Sequence, residues 1–142
     1  MTRKRCLVVK KKFSESLVLK GKRKKIGFSY AWKGLRDIYK NELNFRIHLV
    51  AALLVVIVSI FLPLSALEWV LIIFAIGFVL VVEIINSIIE RMMDYLKPEY
   101  HPTVRFIKDA AAGAVLVTAI VAVLIGIIIF LPKLYVLLSA LL

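Results

Sequence analysis

The chain has 142 residues, 62% of them hydrophobic, with a mean hydropathy of +0.94 and a net charge of +11. This composition fits a small integral membrane protein and excludes an ordinary soluble domain. A single cysteine, Cys6, rules out an intramolecular disulfide and suggests no metal cluster.

Residues 1–25 form a basic tail. Its runs Lys10-Lys11-Lys12 and Lys22-Arg23-Lys24-Lys25 suit contacts with anionic membrane lipid, each near-surface cation contributing about 1 kcal/mol. Because the cations cluster beside apolar segments, no nucleic-acid partner is expected. The tail lacks the apolar core and cleavage site of a signal peptide, so the first apolar block is expected to stay in the mature protein. Over 28–46 the pattern predicts an interfacial amphipathic helix. Phe28, Ala31, Trp32, Leu35, Ile38 and Tyr39 share one side, with Lys33, Arg36, Asp37 and Lys40 largely elsewhere. Glu42 breaks this pattern. It falls about 20° from the centre of the apolar stripe and should meet a positive group there.

Three spanning helices are predicted next, over 47–62, 69–96 and 103–131. Pro63 and Ser65 mark the turn between the first two, and Lys97-Pro98 and Pro102-Thr103 bracket the second connection. Along the last helix Ala110, Ala114, Thr118, Ala122 and Gly126 recur every fourth residue, a spacing that lets membrane helices approach closely. Residues 134–142 are apolar but too short to span. Fifteen of the twenty Lys and Arg precede the first block, and four lie between the second and third. The charge bias therefore puts the N-terminus and the second connection in the cytoplasm, and the C-terminus outside. Three helices leave little lipid-shielded interior in one copy, so an oligomer is expected.

The chemistry concentrates on the second spanning helix. Glu83, Asn86, Glu90 and Asp94 lie at i, i+3, i+7 and i+11, within a sector of roughly 80°. The preceding run, 69–82, carries no charge. Glu83 thus opens a polar stripe at the hydrocarbon boundary, where an ionised carboxylate costs at least ~2.5 kcal/mol. Glu42, Glu83 and Glu90, with Asp94 and Asp109 as outer candidates, are hard oxygen ligands of the kind that hold Mg²⁺ beside substrate phosphates. Glu83 could then serve as a general base. Lys108 could meet phosphate as a point charge. A structural network with Arg46, Arg91, Lys97 and Lys108 accounts for the same carboxylates. His48 and His101 have no metal-ligand spacing and are not read as catalytic. No phosphate loop, GxSxG, HExxH or paired CxxC occurs, so phosphoryl chemistry would run without a soluble-kinase fold.

The segment Glu83-Ile84-Ile85-Asn86-Ser87-Ile88-Ile89-Glu90 resembles the signature E-x-x-N-[ST]-x-x-E of the bacterial integral-membrane diacylglycerol/undecaprenol kinase family. The likeness extends to Asp94, Glu99-Tyr100-His101, Lys108-Asp109, Trp32-Lys33-Gly34-Leu35, Asn41-Glu42 and Phe45-Arg46, covering residues 27 to 133. The stretches Asn44-Phe45-Arg46-Ile47-His48, His101-Pro102 and Ile129-Phe130-Leu131-Pro132-Lys133 resemble the Gram-positive undecaprenol kinase branch. Ala31 departs from the serine that the Gram-negative diacylglycerol kinases tend to carry beside the tryptophan.

The resemblance implies an all-α membrane protein, a homotrimer of three-helix protomers each with an interfacial helix, and a lipid kinase domain over 26–133. It implies transfer of the γ-phosphoryl group of Mg²⁺-bound ATP to the primary hydroxyl of a membrane lipid, undecaprenol first and diacylglycerol second, at the cytoplasmic face of a bacterial cell membrane. By the same resemblance Glu83 is the base, Glu42 and Glu90 hold metal, and Lys108 contacts phosphates. Asp109 lies near the nucleotide's base, Asp94 supports the nucleotide site, and Asn86 orients the reacting groups. Trp32, Glu83 and Asn86 form the lipid side. Two rivals come from other classes. An oligomeric ion channel or transporter would use Glu83 as an ion ligand, and a polybasic scaffold would explain only the tail.

Overall fold

The computed structural model describes residues 27–139, and every element within them is a helix: α1 (Gly27–Asn41), α2 (Leu43–Ile60), α3 (Ala66–Leu96) and α4 (Pro102–Ser139). The basic tail of residues 1–25 lies outside the described residues. The chain divides between Leu35 and Arg36 into two units, whose described parts are residues 27–35 and 36–139. α1 buries none of its residues, and Phe28, Trp32, Leu35 and Tyr39 all stand exposed. That uncovered apolar face is what an interfacial helix presents to lipid.

α2, α3 and α4 are each long and apolar enough to cross a membrane. Their 18, 31 and 38 residues rise about 27, 46 and 57 Å, against a hydrocarbon core of about 30 Å. Counted from Ala66, about 30 Å of rise ends near residue 86. The polar stripe of α3 therefore begins where the hydrocarbon runs out.

The expected helix over 28–46 is divided. Glu42 takes extended dihedrals (φ −106°, ψ 115°) and opens α2 as its N-cap, while its own N–H still closes α1 on the Ile38 carbonyl at 2.8 Å. Asn41 folds its side chain back to the Asp37 carbonyl at 2.7 Å, the local competition that disfavours Asn inside helices. The first spanning helix accordingly runs over Leu43–Ile60 rather than 47–62.

α3 and α4 form the main packed pair, and α2 packs on α3. On α3 the buried positions Ile72, Ala75, Val79, Glu83 and Asn86 are spaced by three or four residues, tracing one continuous seam. Val115, Thr118 and Ile129 answer it from α4. The small-residue row behaves differently from expectation. Thr118 is buried and Ala122 and Gly126 half-buried, but Ala110 and Ala114 are exposed. A strict four-residue step advances about 400°, so the row drifts roughly 40° per step out of a straight seam. Nor does Gly126 enforce a close crossing: an added Cβ would meet only the Phe130 ring, at 3.8 Å.

The Ser65 end is fastened by side chains. Ser65 caps α3 with a reciprocal capping box: its Oγ accepts from the Glu68 N–H at 3.3 Å, and its N–H donates to the Glu68 carboxylate at 2.6 Å. Lys133 of α4 reaches the same carboxylate at 3.1 Å and donates to the Pro63 carbonyl at 2.8 Å. α4 therefore continues through Pro132 to Ser139 instead of stopping near residue 131. Pro132 removes one backbone donor, and the Lys133 contacts hold the segment that follows. Ser65→Ala should lower the free energy of unfolding by about 1 kcal/mol. SDS titration of the reconstituted protein measures this, and an unchanged midpoint would count against the cap.

Candidate active site on the α3 stripe

Glu83 is 2% exposed and Asn86 4%. They sit on the seam because the apolar positions that bury α3 repeat at helical spacing and the next two positions of that repeat are Glu83 and Asn86. No cation forms an ion pair with Glu83 among the described residues. Burial is the main penalty on its charge, and the nearby carboxylates of Glu90 and Glu42 add like charge. Its burial is thus not offset by a cation among the described residues, an arrangement that costs stability.

One turn further on, Asn86 donates through Nδ2 to Glu90 Oε1 at 3.3 Å. The amide oxygen of Asn86 is buried with no partner among the described residues. Such an orphan costs stability unless something else fills its valence. Glu42, held at the α1–α2 break, receives both Nε and Nη2 of Arg91 on one oxygen, at 3.0 and 2.8 Å. The positive group demanded by its place on the apolar stripe is therefore Arg91. The other Glu42 oxygen is left outside the pair.

Beyond Glu90 the stripe leads into a polar recess of about 410 Å³, walled by Asp94, Tyr100, His101, Arg105, Lys108 and Asp109 among others. Lys108 pairs with Asp94 at 2.9 Å, and Arg105 with Asp109 at 3.5 Å. In the opposite direction, an apolar cavity of about 270 Å³ lies between α2, α3 and α4. Ala52, Ile72, Val79, Ala122 and Phe130 line it, together with His48. Val79 is four residues before Glu83 on the same seam, so the cavity ends one turn from that carboxylate. Glu83 stands between an apolar slot and a charged recess.

A family model described as prokaryotic diacylglycerol kinase matches residues 29–130. The chain belongs to the prokaryotic diacylglycerol kinase family. It is 40% identical over 107 residues to an undecaprenol kinase of Bacillus subtilis, covering 75% of this chain and 87% of that protein. A diacylglycerol kinase of Escherichia coli is 43% identical over 95 residues, 67% of this chain and 78% of that protein. One from Synechocystis is 34% identical over 110 residues, 77% of this chain and 63% of that protein. With its three apolar helices, this member of the family is a multi-pass membrane protein.

The structure brings Glu83, Asn86 and Glu90 together on one seam, and gathers Asp94, Lys108 and Asp109 around one recess. Trp32 lies on α1, exposed, in the unit ending at Leu35. Among the described residues no three His, Cys, Asp or Glu converge as a self-contained metal centre. The network envisaged from pattern forms only in part: Arg91 and Lys108 are engaged, whereas Arg46 and Lys97 make no ion pair among the described residues. Sequence reasoning missed the Ser65–Glu68–Lys133 fastening. Its local half was available as the S-x-x-E pattern at Ser65. Glu83→Gln keeps the shape of this site and removes the charge, so it should raise unfolding stability by about 1 kcal/mol. A Gln variant less stable than the parent by SDS titration would mean that Glu83 has a structural partner.

Proposed function

We propose that this chain is an ATP-dependent lipid kinase that phosphorylates the primary hydroxyl of undecaprenol, yielding undecaprenyl phosphate, with diacylglycerol as the second candidate acceptor. One observation carries the reading. A buried carboxylate with no counter-cation among the described residues lies on α3 between the end of an apolar slot and a charged recess further along the helix. The slot suits an isoprenoid or acyl chain, and the recess suits a polyphosphate. Membership of the family, and the printed names of the Bacillus subtilis and Escherichia coli relatives, agree with it. Undecaprenol is preferred because the relative bearing that name covers more of both chains.

In this mechanism Glu83 accepts the proton of the lipid hydroxyl as its oxygen attacks the γ-phosphorus. An O–P bond forms, the bond between the γ-phosphorus and the β–γ bridging oxygen breaks, and ADP leaves. Phosphoryl transfer demands positioning and charge neutralisation more than covalent participation. Mg²⁺ arrives as the ATP complex and neutralises phosphate charge. The all-oxygen set of Glu90, Glu42 and the unpartnered Asn86 amide oxygen suits such an ion, which binds few carboxylates and completes its shell with phosphate and water. Lys108 meets phosphate once it exchanges its exposed Asp94 partner, and Asp94 and Asp109 border the nucleotide. Asn86 serves the lipid side, and Trp32, exposed on α1, is a separate lipid contact. The apolar flanks of α2–α4 are extensively exposed in one copy, which favours a homotrimer in the membrane. The site faces the cytoplasm, the source of ATP, and the basic tail lies against anionic lipid.

An ion path is disfavoured because residues 69–82 of α3 offer no charged side chain. Transfer of labelled γ-phosphate to undecaprenol and to diacylglycerol, offered side by side in mixed micelles, tests the proposal. Glu83→Gln should abolish transfer with the oligomer intact, and near-normal turnover would remove Glu83 as the base. Glu42→Gln should weaken Mg²⁺ dependence. An unchanged Mg²⁺ titration would place Glu42 outside the metal site.

A further inference from the structure

The apolar cavity between α2, α3 and α4 contains one polar side chain. His48 lines it, among residues that are otherwise aliphatic, phenyl or glycine. The ring is half-buried and makes no side-chain hydrogen bond among the described residues. An imidazole facing an apolar slot loses water without gaining a partner, so a filled slot should supply one.

The position of His48 along the slot says what that partner is. α2 and α3 are consecutive, joined by a short turn, and run antiparallel. His48 lies 12 residues before the Ile60 end of α2, roughly 18 Å of rise, level with Val79 and Leu80 on α3. Those two residues share the cavity wall with it. Side chains tilt toward the N-terminus of their own helix. On antiparallel helices this leans the His48 ring toward the Glu83 level and the Glu83 carboxylate down toward Val79. The general tilt directs the two heads toward one another, and they form no ion pair among the described residues. A hydroxyl at this end of the slot can take a hydrogen bond from one and give its hydrogen to the other.

We propose that His48 binds and orients the lipid acceptor, donating an imidazole N–H to the oxygen of the hydroxyl that Glu83 deprotonates. This rests on the lipid-kinase reading. The alcohol oxygen then receives one hydrogen bond from His48 and gives its proton to Glu83. A lone pair remains free and aimed at the γ-phosphorus, while the lipid tail fills the slot toward Ile72 and Phe130. His48 does not itself accept the proton. Its contribution is to hold the oxygen at the carboxylate instead of letting it slide along an otherwise featureless apolar wall.

The test compares the full-length wild type with His48→Leu and His48→Gln in mixed micelles at saturating MgATP. His48→Leu should lower kcat for the lipid about tenfold to a hundredfold while the KM for MgATP stays within about twofold. His48→Gln, which keeps an N–H donor, should recover most of that loss. A Leu variant matching wild type overturns the proposal, and so does a Gln variant as impaired as Leu. A measurement on the wild type covers the case in which Leu fails to fold. The ¹⁵N resonances of the His48 ring should move with a long-chain alcohol and not with the alkane of equal length, and an equal response to both overturns the assignment. If the wild type phosphorylates neither undecaprenol nor diacylglycerol, the kinase reading falls and takes this one with it. If the wild type is active and His48→Leu equals it, only the role of His48 falls.

Discussion

A carboxylate buried in a membrane helix, with no cation beside it among the described residues, is the constraint around which this protein is arranged. Glu83 occupies a position that helical spacing reserves for a seam residue, and an aliphatic side chain there would pack more favourably. The destabilisation is tolerable because the rest of the seam is apolar and continuous from Ile72 to Val79, and because Ser87, Thr118 and Ser59 satisfy their hydroxyls on their own helices. Polar strain is thereby confined to one short stretch, where α3 leaves the hydrocarbon.

The two ends of the bundle are held in different ways. At the Ser65 end a capping box and a lysine tie α3, α4 and the turn together through one carboxylate. At the Glu83 end the ties are ion pairs between separate elements, Glu42 with Arg91 and Asp94 with Lys108, each with at least one well-exposed partner. Exposed pairs contribute little net stability and exchange readily. The fastened end, by contrast, ties the helices together through a shared carboxylate.

Phosphoryl transfer between a lipid and a soluble nucleotide imposes a geometric problem, since the reactants come from media of opposite polarity. Helices longer than the bilayer solve it by carrying one seam from apolar to charged surroundings. On α3 the change takes place within two turns, from Val79 through Glu83 to Glu90. No separate nucleotide fold is then required, because the proposed base lies at the junction of the two media.

Much of this was legible in the sequence because it is local or periodic. Apolar block lengths determined three spanning helices, and the i, i+3, i+7 spacing determined that Glu83, Asn86 and Glu90 share a face. The departure of Glu42 from an amphipathic pattern also predicted a positive partner. Tertiary structure alone decided that this partner is Arg91, forty-nine residues away, since no local pattern encodes which of several cations comes within reach. It decided equally that Glu42 breaks the helix, that Lys133 closes the far end, and that the small-residue row joins the seam only from Thr118 onward. His48 is the sharpest case: in the sequence it is an unaccompanied histidine, and only the packing of three helices puts its ring in the wall of a slot that ends one turn from Glu83.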